Sequence, residues 1–415
     1  MKNKIMLVIG VSLLLPALVG NAATVEERFG VASKGQNQDG AWIKTKQRLT
    51  LLSANDGQAH LRLDADGKID KKNFTQDSIT VIQLGPDHPP IVKTVYGTVP
   101  NTIVGEPYLV TLGGGQYSFV TCHGMGLLAP EQKDLLSVID LSSPDLPVIQ
   151  KVNVPVPQMV SAHPDGKHVI VACATGFQVF AMQDGRLILE KDNKIGFILQ
   201  SMDISPKGDR IVAAVANTPD GDPTGVHVFS YGNGSINHLH EVRVQKGLSP
   251  FDRPFSLRFS PDGKRVLVPN GGGEGTKGRL DNVLIIDMTL DPPMVTEVIP
   301  QVADGIESLA FHPKGHMAVI TCLEDLPWLA ESSYSHLAII DLTSKPAKLL
   351  SYVNVEAFPE GIEFTPDGSQ LFVQLTSANH IAVFDVDGFM LKRSPVVIRV
   401  GHGPASMALG PRFLR

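Results

Sequence analysis

Glu307 and Glu360 occupy the same place in two different stretches of this chain, six residues before a proline that opens a Pro-x-Gly turn. Gln158 and Gln200 occupy that place before two other turns, Phe255 and Ala405 before two more. Glu106, Arg253, Asp304 and His402 lie close by in sequence. If one fold brings equivalent positions to one cavity, two carboxylates and two amides meet there. Such a set suits a cation, a polyhydroxylated ligand, or a general acid/base pair. In the catalytic version Glu307 and Glu360 are the acid/base pair and Arg253 contacts an oxyanion or carboxylate. Gln158, Gln200, His402 and Glu106 are then ligand contacts. The competing reading is a rim of solvated side chains that closes a channel with water.

The turns set these positions. HPDGKHVIVAC, SPKGDRIVAAV, SPDGKRVLVPN, HPKGHMAVITC and TPDGSQLFVQL begin at His163, Ser205, Ser260, His312 and Thr365. In each, Pro presets φ, Gly permits positive φ, and a β-branched strand follows. A second apolar strand comes next: FQVFAM, VHVFSY, NVLIIDM, LAIIDL or IAVFDV. A period of roughly 40 to 55 residues with four strands per period predicts a β-propeller blade. GEPYLVTLGGGQYSFVTCHG fits if Gly113 replaces the turn proline, with LLSVIDL as its outer strand. SITVIQL (78–84) is a further outer strand without inner partners, and the C-terminal VVIRVGHGPASMALGP reads as an inner pair without outer ones. Together they predict a seven-bladed all-β propeller whose first blade is closed by both termini, leaving no open edge.

The phrases SPDGKRVLVPN…DNVLIIDM and TPDGSQLFVQL…NHIAVFDV resemble the YVTN-type propeller repeats of secreted bacterial proteins. The resemblance spans about residues 75–412. It extends to lactonase-type propellers and to those of quinoprotein amine dehydrogenases and haem d1 proteins, and implies the fold rather than one activity. Lactonase-type members carry an Arg-His pair before a Phe-His-Pro turn. Here Phe311-His312-Pro313 is preceded by Ile306-Glu307-Ser308-Leu309, so that pair is missing.

The chain opens with Lys2 and Lys4, an apolar run from Ile5 to Val19, and Gly20-Asn21-Ala22, the pattern of an export signal. The expected organisation is a signal peptide at 1–22, an extension at 23–57 that serves as a strap or partner contact, and the propeller at 58–415. The expected location is periplasmic or secreted, with no membrane insertion after the signal is removed. A formal net charge of −6, more acidic without the two leader lysines, argues against nucleic acid or anionic lipid as partner.

Cys122, Cys173 and Cys322 each stand nine residues after a turn position, at one site in three blades. They are expected to be buried and too far apart to pair. No C-x-x-C-H occurs, so no c-type haem is attached, and no cofactor is identified. LDADGKID, with Asp64, Asp66 and Asp70, lacks the full set of a calcium loop and reads as a hairpin turn. His238 and His240 alternate along a strand and are expected to face solvent. His163 and His312 replace the Ser or Thr of other turns and read as structural. NGGGEGTKG lacks the Lys-Ser/Thr of a phosphate loop. The loop Leu323–His336, with Trp328 and Tyr334, either contacts a partner or folds over its blade.

Two function classes follow. The first is a binding or scaffold propeller that holds a protein partner or small ligand at the channel mouth. The alternative is a lactonase-type hydrolase using the rim carboxylates. A third, redox role needs a bound quinone or haem, or a partner chain.

Overall fold

Val169, Val171 and Cys173 pack toward the preceding blade, while Ile170 and Ala172, between them on the same strand, pack toward the next. The period-two geometry of a strand forces this split. It also explains why the second strand of each blade reads as an unbroken apolar run: both faces are buried. In the following blade Ile211, Ala213 and Val215 face back while Val212 and Ala214 face forward. Seven apolar clusters result among the described residues, one at each interface between neighbouring blades.

The computed structural model describes residues 42–59, 74–96, 109–112, 115–122, 134–143, 146–196, 198–217, 225–271, 279–324, 334–356 and 358–409. These form seven sheets, five of four strands and two of five, with antiparallel pairing throughout except one parallel rim strand, Arg243–Val244 on Met294–Ala303. The fold is a seven-bladed β-propeller. From blade 1 to blade 7 the innermost strands are Pro404–Leu409, Leu109–Leu112, Met159–Ala162, Ile198–Ile204, Arg258–Phe259, Ile306–Phe311 and Pro359–Phe364. Each touches the innermost strand of the next blade, and the last touches the first, so they enclose the axis of the ring. No helix among the described residues is long and apolar enough to cross a membrane.

Both ends of the chain close blade 1, but not as two strands plus two. Its order from the axis is Pro404–Leu409, Leu49–Asn55, Ser78–Leu84 and Ile91–Tyr96. The C-terminus therefore gives one strand and the N-terminal part gives three. Ile398–Arg399, read from sequence as part of an inner pair, instead adds to blade 7 beside His380 and Ile381. Leu49–Asn55 falls in the stretch assigned to the 23–57 extension, yet it is a fully buried blade strand. The boundary at 57/58 is corrected accordingly. The export signal and the 60–73 segment containing LDADGKID lie outside the described residues, as do 272–278 and 325–333.

Cys173 and Cys322 are fully buried in different interfaces, and Cys122 is buried in blade 2; no disulfide joins the three. Burial pushes the Cys122 and Cys322 thiols well above their ordinary range, so they are packing groups rather than nucleophiles.

Candidate functional site in the central channel

Each inner strand carries its residues at one register relative to the turn that ends it. Six residues before the turn proline, Glu307 and Glu360 sit on the touching inner strands of blades 6 and 7, and both are buried, with relative exposures of 3% and 4%. Gln158, in blade 3, is likewise buried, and its backbone N–H donates to the Ala172 carbonyl at 2.9 Å. Gln200 is partly exposed on the inner strand of blade 4. Ser256 of blade 5 donates its hydroxyl hydrogen to the Glu307 backbone carbonyl, tying that level of the ring together. Arg253 and His402 precede their inner strands and are exposed; Arg253 holds a left-handed backbone with φ of 55°. Glu106 lies outside the described residues.

A second polar level lies three residers further along the same strands. Read around the ring from blade 3, that register holds Ser161, Asp203, Arg258, Ala310, Glu363 and, in blade 1, Ala408. Three of these are charged and act on one another across blades 4, 5 and 7. The Arg258 guanidinium stands 3.7 Å from Asp203 Oδ1. Asp203 Oδ2 accepts the Phe259 backbone N–H at 2.7 Å, which satisfies a donor on the inner edge of blade 5. Small Ala310 in blade 6, between Arg258 and Glu363 in ring order, places no long side chain between them.

Burial pushes the Glu363 carboxyl up to about 7; Arg258 draws it down and the Asp203 charge pushes it further up. Burial likewise raises Asp203, against Arg258 and the Phe259 N–H, which lower it. Among the described residues Glu363 receives no hydrogen bond from a protein donor, although its side chain remains partly open to solvent. Arg258 keeps 42% of its side chain accessible and Asp203 19%. The three thus stand together at a place that solvent still reaches in part. A carboxyl half-protonated near neutrality, without a protein donor and beside an arginine, can accept or deliver a proton or bind hydroxyl groups.

Comparison of positions six before the turn does not find this level. The signal lies three residues along, where that register holds small residues in three blades and charges in three others. Two other histidines tie neighbouring turns together through Nε2: His163 donates to the Gly208 carbonyl of the next blade at 2.9 Å, and His312 to Gly368 at 3.1 Å. His238 is not simply solvated, since its Nε2 lies 3.0 Å from His227 Nδ1; His240 stands 3.6 Å from Asp291.

No family model and no curated protein sequence matches the chain. Solved structures do. The chain is similar to the periplasmic gluconolactonase of Pseudomonas aeruginosa, at 15% identity and a TM-score of 0.61, over 88% of this chain and 99% of that one. A Bacteroides uniformis protein assigned as a 6-phosphogluconolactonase gives 18% identity and a TM-score of 0.61, over 88% and 100%. Hydrazine synthase of Kuenenia stuttgartiensis gives 16% and 0.56, over 76% and 91%. These likenesses show the fold of lactonase-like propellers. They do not select an activity, since their own activities differ.

Proposed function

We propose that this chain is an exported binding propeller that holds a small polyhydroxylated molecule in its central channel. The observation that carries the reading is the meeting of Glu363, Arg258 and Asp203 from three blades around space that solvent reaches. Carboxylates and a guanidinium together match the hydroxyl and acid groups of a sugar acid, with directional bonds that water alone would otherwise satisfy. Glu307, Glu360, Gln158 and Gln200, one level away on the same strands, are assigned to the remaining ligand contacts. The leader pattern at Lys2, Lys4 and Ile5–Val19 supports a place outside the cytoplasm.

Thermal unfolding against aldonic acids, aldonolactones and free sugars tests this. A ligand at a hundred times its Kd stabilises the native state by about 2.7 kcal/mol. The expected result is a shift with at least one class that Glu363→Gln and Arg258→Met both abolish. No shift with any class sinks the small-ligand reading and leaves a protein partner as the binding target. A shift that survives both substitutions removes the site from this level of the channel.

One observation favours a second reading, lactone hydrolysis: a carboxyl near 7 beside an arginine. Glu363 as carboxylate would take a proton from water as the water oxygen adds to the lactone carbonyl, with Arg258 facing the oxyanion. Collapse would break the ring C–O bond, and the protonated Glu363 would return its proton to the leaving oxygen. Turnover of an aldonolactone should then rise with pH through about 7 and vanish in Glu363→Gln. Ligand-dependent stabilisation without turnover leaves the binding reading alone.

A further inference from the structure

The turn that ends the inner strand of blade 3 differs from its counterparts in one respect. Its phrase HPDGKH places His163, Asp165 and His168 together on the side of the ring opposite the starts of the inner strands. One ligand-capable atom from each lies within 4.8 Å of the others. Asp165 Oδ2 stands 3.0 Å from His163 Nδ1 and 2.5 Å from His168 Nδ1. Asp165 Oδ1 is already engaged in the turn, accepting the backbone N–H groups of Lys167 at 2.8 Å and His168 at 3.1 Å. Oδ2 is therefore the oxygen that faces the imidazoles.

Both imidazoles are held from behind. His163 Nε2 meets the Gly208 carbonyl at 2.9 Å, which fixes the proton on Nε2 and leaves Nδ1 an acceptor, where it takes the Asp165 backbone N–H at 3.2 Å. His168 Nε2 meets Glu190 Oε2 at 3.1 Å. The Tyr231 ring lies over His163 with centroids 4.4 Å apart and holds its plane. A ring nitrogen whose partner nitrogen donates to a carbonyl or carboxylate is the arrangement that orients metal-bound histidines. Ligands on a tetrahedral zinc ion stand about 3.3 Å apart, so small side-chain adjustments fit these three atoms to one.

Blade 6 supplies an internal comparison. His312 repeats His163 closely, with Nε2 3.1 Å from the Gly368 carbonyl and Nδ1 accepting the Lys314 N–H at 3.1 Å. Turn locking thus explains the histidine alone. It does not explain the rest, because the positions of Asp165 and His168 are Lys314 and Met317 in blade 6. The turn bond itself is shared, since Asp165 N–H reaches His163 Nδ1 at 3.2 Å in blade 3.

We propose that His163 Nδ1, Asp165 Oδ2 and His168 Nδ1 bind a divalent transition-metal ion of the zinc class, with Glu190 orienting His168. The fourth position takes water. Two neutral imidazoles and a carboxylate are borderline ligands that favour such ions over calcium or magnesium. Through the His163–Gly208 bond the metal also braces blade 3 against blade 4.

The test uses the mature chain stripped with a chelator. Zn²⁺ is titrated by calorimetry and Co²⁺ by visible absorption, in the parent and in Asp165→Asn, His168→Gln, Glu190→Gln and His312→Gln. Asn keeps the turn-forming oxygen at 165. Expected are one equivalent of tightly held Zn²⁺ and the intense bands of four-coordinate Co²⁺. Asp165→Asn and His168→Gln should each lose both. Glu190→Gln should weaken binding about 10- to 100-fold, and His312→Gln should leave it unchanged. Absence of the Co²⁺ bands in the parent overturns the site, as does Zn²⁺ binding that persists unchanged in either ligand variant.

Discussion

Gln374 of blade 7 donates from Nε2 to Ser53 Oγ of blade 1 at 2.6 Å, joining residues from opposite ends of the chain. The same nitrogen donates to the Ser406 carbonyl of the C-terminal strand at 3.0 Å. Ser53 passes its hydrogen to Asn55 Oδ1 at 2.7 Å, and Asn55 Nδ2 donates to Ser78 Oγ at 3.0 Å. Gln374, Ser53 and Asn55 are all fully buried. A polar chain of this kind ties the three inner strands of blade 1 to one another and to blade 7, across the join between Pro404–Leu409 and Leu49–Asn55 that no peptide bond makes.

Gln374→Met keeps the volume and removes both donors. It should lower stability by about 2–3 kcal/mol, since buried acceptors then lose their partners. Ser53→Ala should cost less alone. The two together should fall short of the sum by about 1 kcal/mol or more, because they break one network. Denaturant unfolding of the four proteins in the cycle measures this. Strict additivity would show that closure rests on apolar packing alone.

Glu363 gives a pH signature of unusual sign. Its carboxyl titrates near 7 in the fold against about 4.5 unfolded, so the folded state holds the proton more tightly. The stability this provides is fully present below pH 4.5 and is lost as pH rises through 7. The shift corresponds to about 3 kcal/mol at most. Glu363→Gln should therefore gain on the parent as pH rises from 4.5 to 8, and Arg258→Met should steepen the parent's loss. Stability curves of parent and Glu363→Gln that stay parallel across that range would contradict the placement of this carboxyl.

His312 and Gly368 form a lock between the turns of blades 6 and 7. Gly368 has φ of +72°, and a Cβ there would lie 2.3 Å from His312 Nε2. Gly368→Ala should cost more than the about 1–2 kcal/mol of a left-handed alanine, because the ring must also move. In a His312→Ser background the excess should disappear. His312→Ser should itself be milder than His312→Ala, since Ser205 and Ser260 hold the same turns through Oγ, accepting N–H groups at 3.1 and 3.0 Å. Equal costs of Gly368→Ala in both backgrounds would show that the contact carries no strain.

The turn phrases made the ring legible because Pro and Gly are tied to φ, and every blade turns the same corner. Leu49–Asn55 is hidden in the sequence for the converse reason. The strand that pairs inside it comes from the C-terminus, so no turn phrase precedes it, and LTLLSAN carries no alternation because both faces are buried. Glu307 and Glu360 stand out by their shared register, which repetition exposes. Asp203, Arg258 and Glu363 share a register too, but differ in type and charge, and only the curvature of the ring makes them neighbours. Asp165 and His168 were concealed by the turn itself, whose phrase accounts for both residues without any ligand.

His227 sets the response to acid. It is buried in blade 4 at 8% exposure, its Nδ1 3.0 Å from His238 Nε2. Burial, and then the neighbouring His238, hold its pKa down to about 4, against about 6.5 for a solvated imidazole. A depressed pKa favours folding above the unfolded value, so this contribution is whole above pH 6.5 and is lost as pH falls through 4. Burial also lowers His312 and His380, which adds to the same slope. Glu363 opposes it, gaining stability over part of that range. His227→Gln should therefore flatten the fall in unfolding midpoint between pH 6.5 and 4, by up to about 3 kcal/mol in stability at the acid end. The double variant His227→Gln/Glu363→Gln separates the two groups: it should keep the flattening at acid pH and also gain on the parent above pH 7. An acid limb as steep in His227→Gln as in the parent would assign the slope to the other imidazoles.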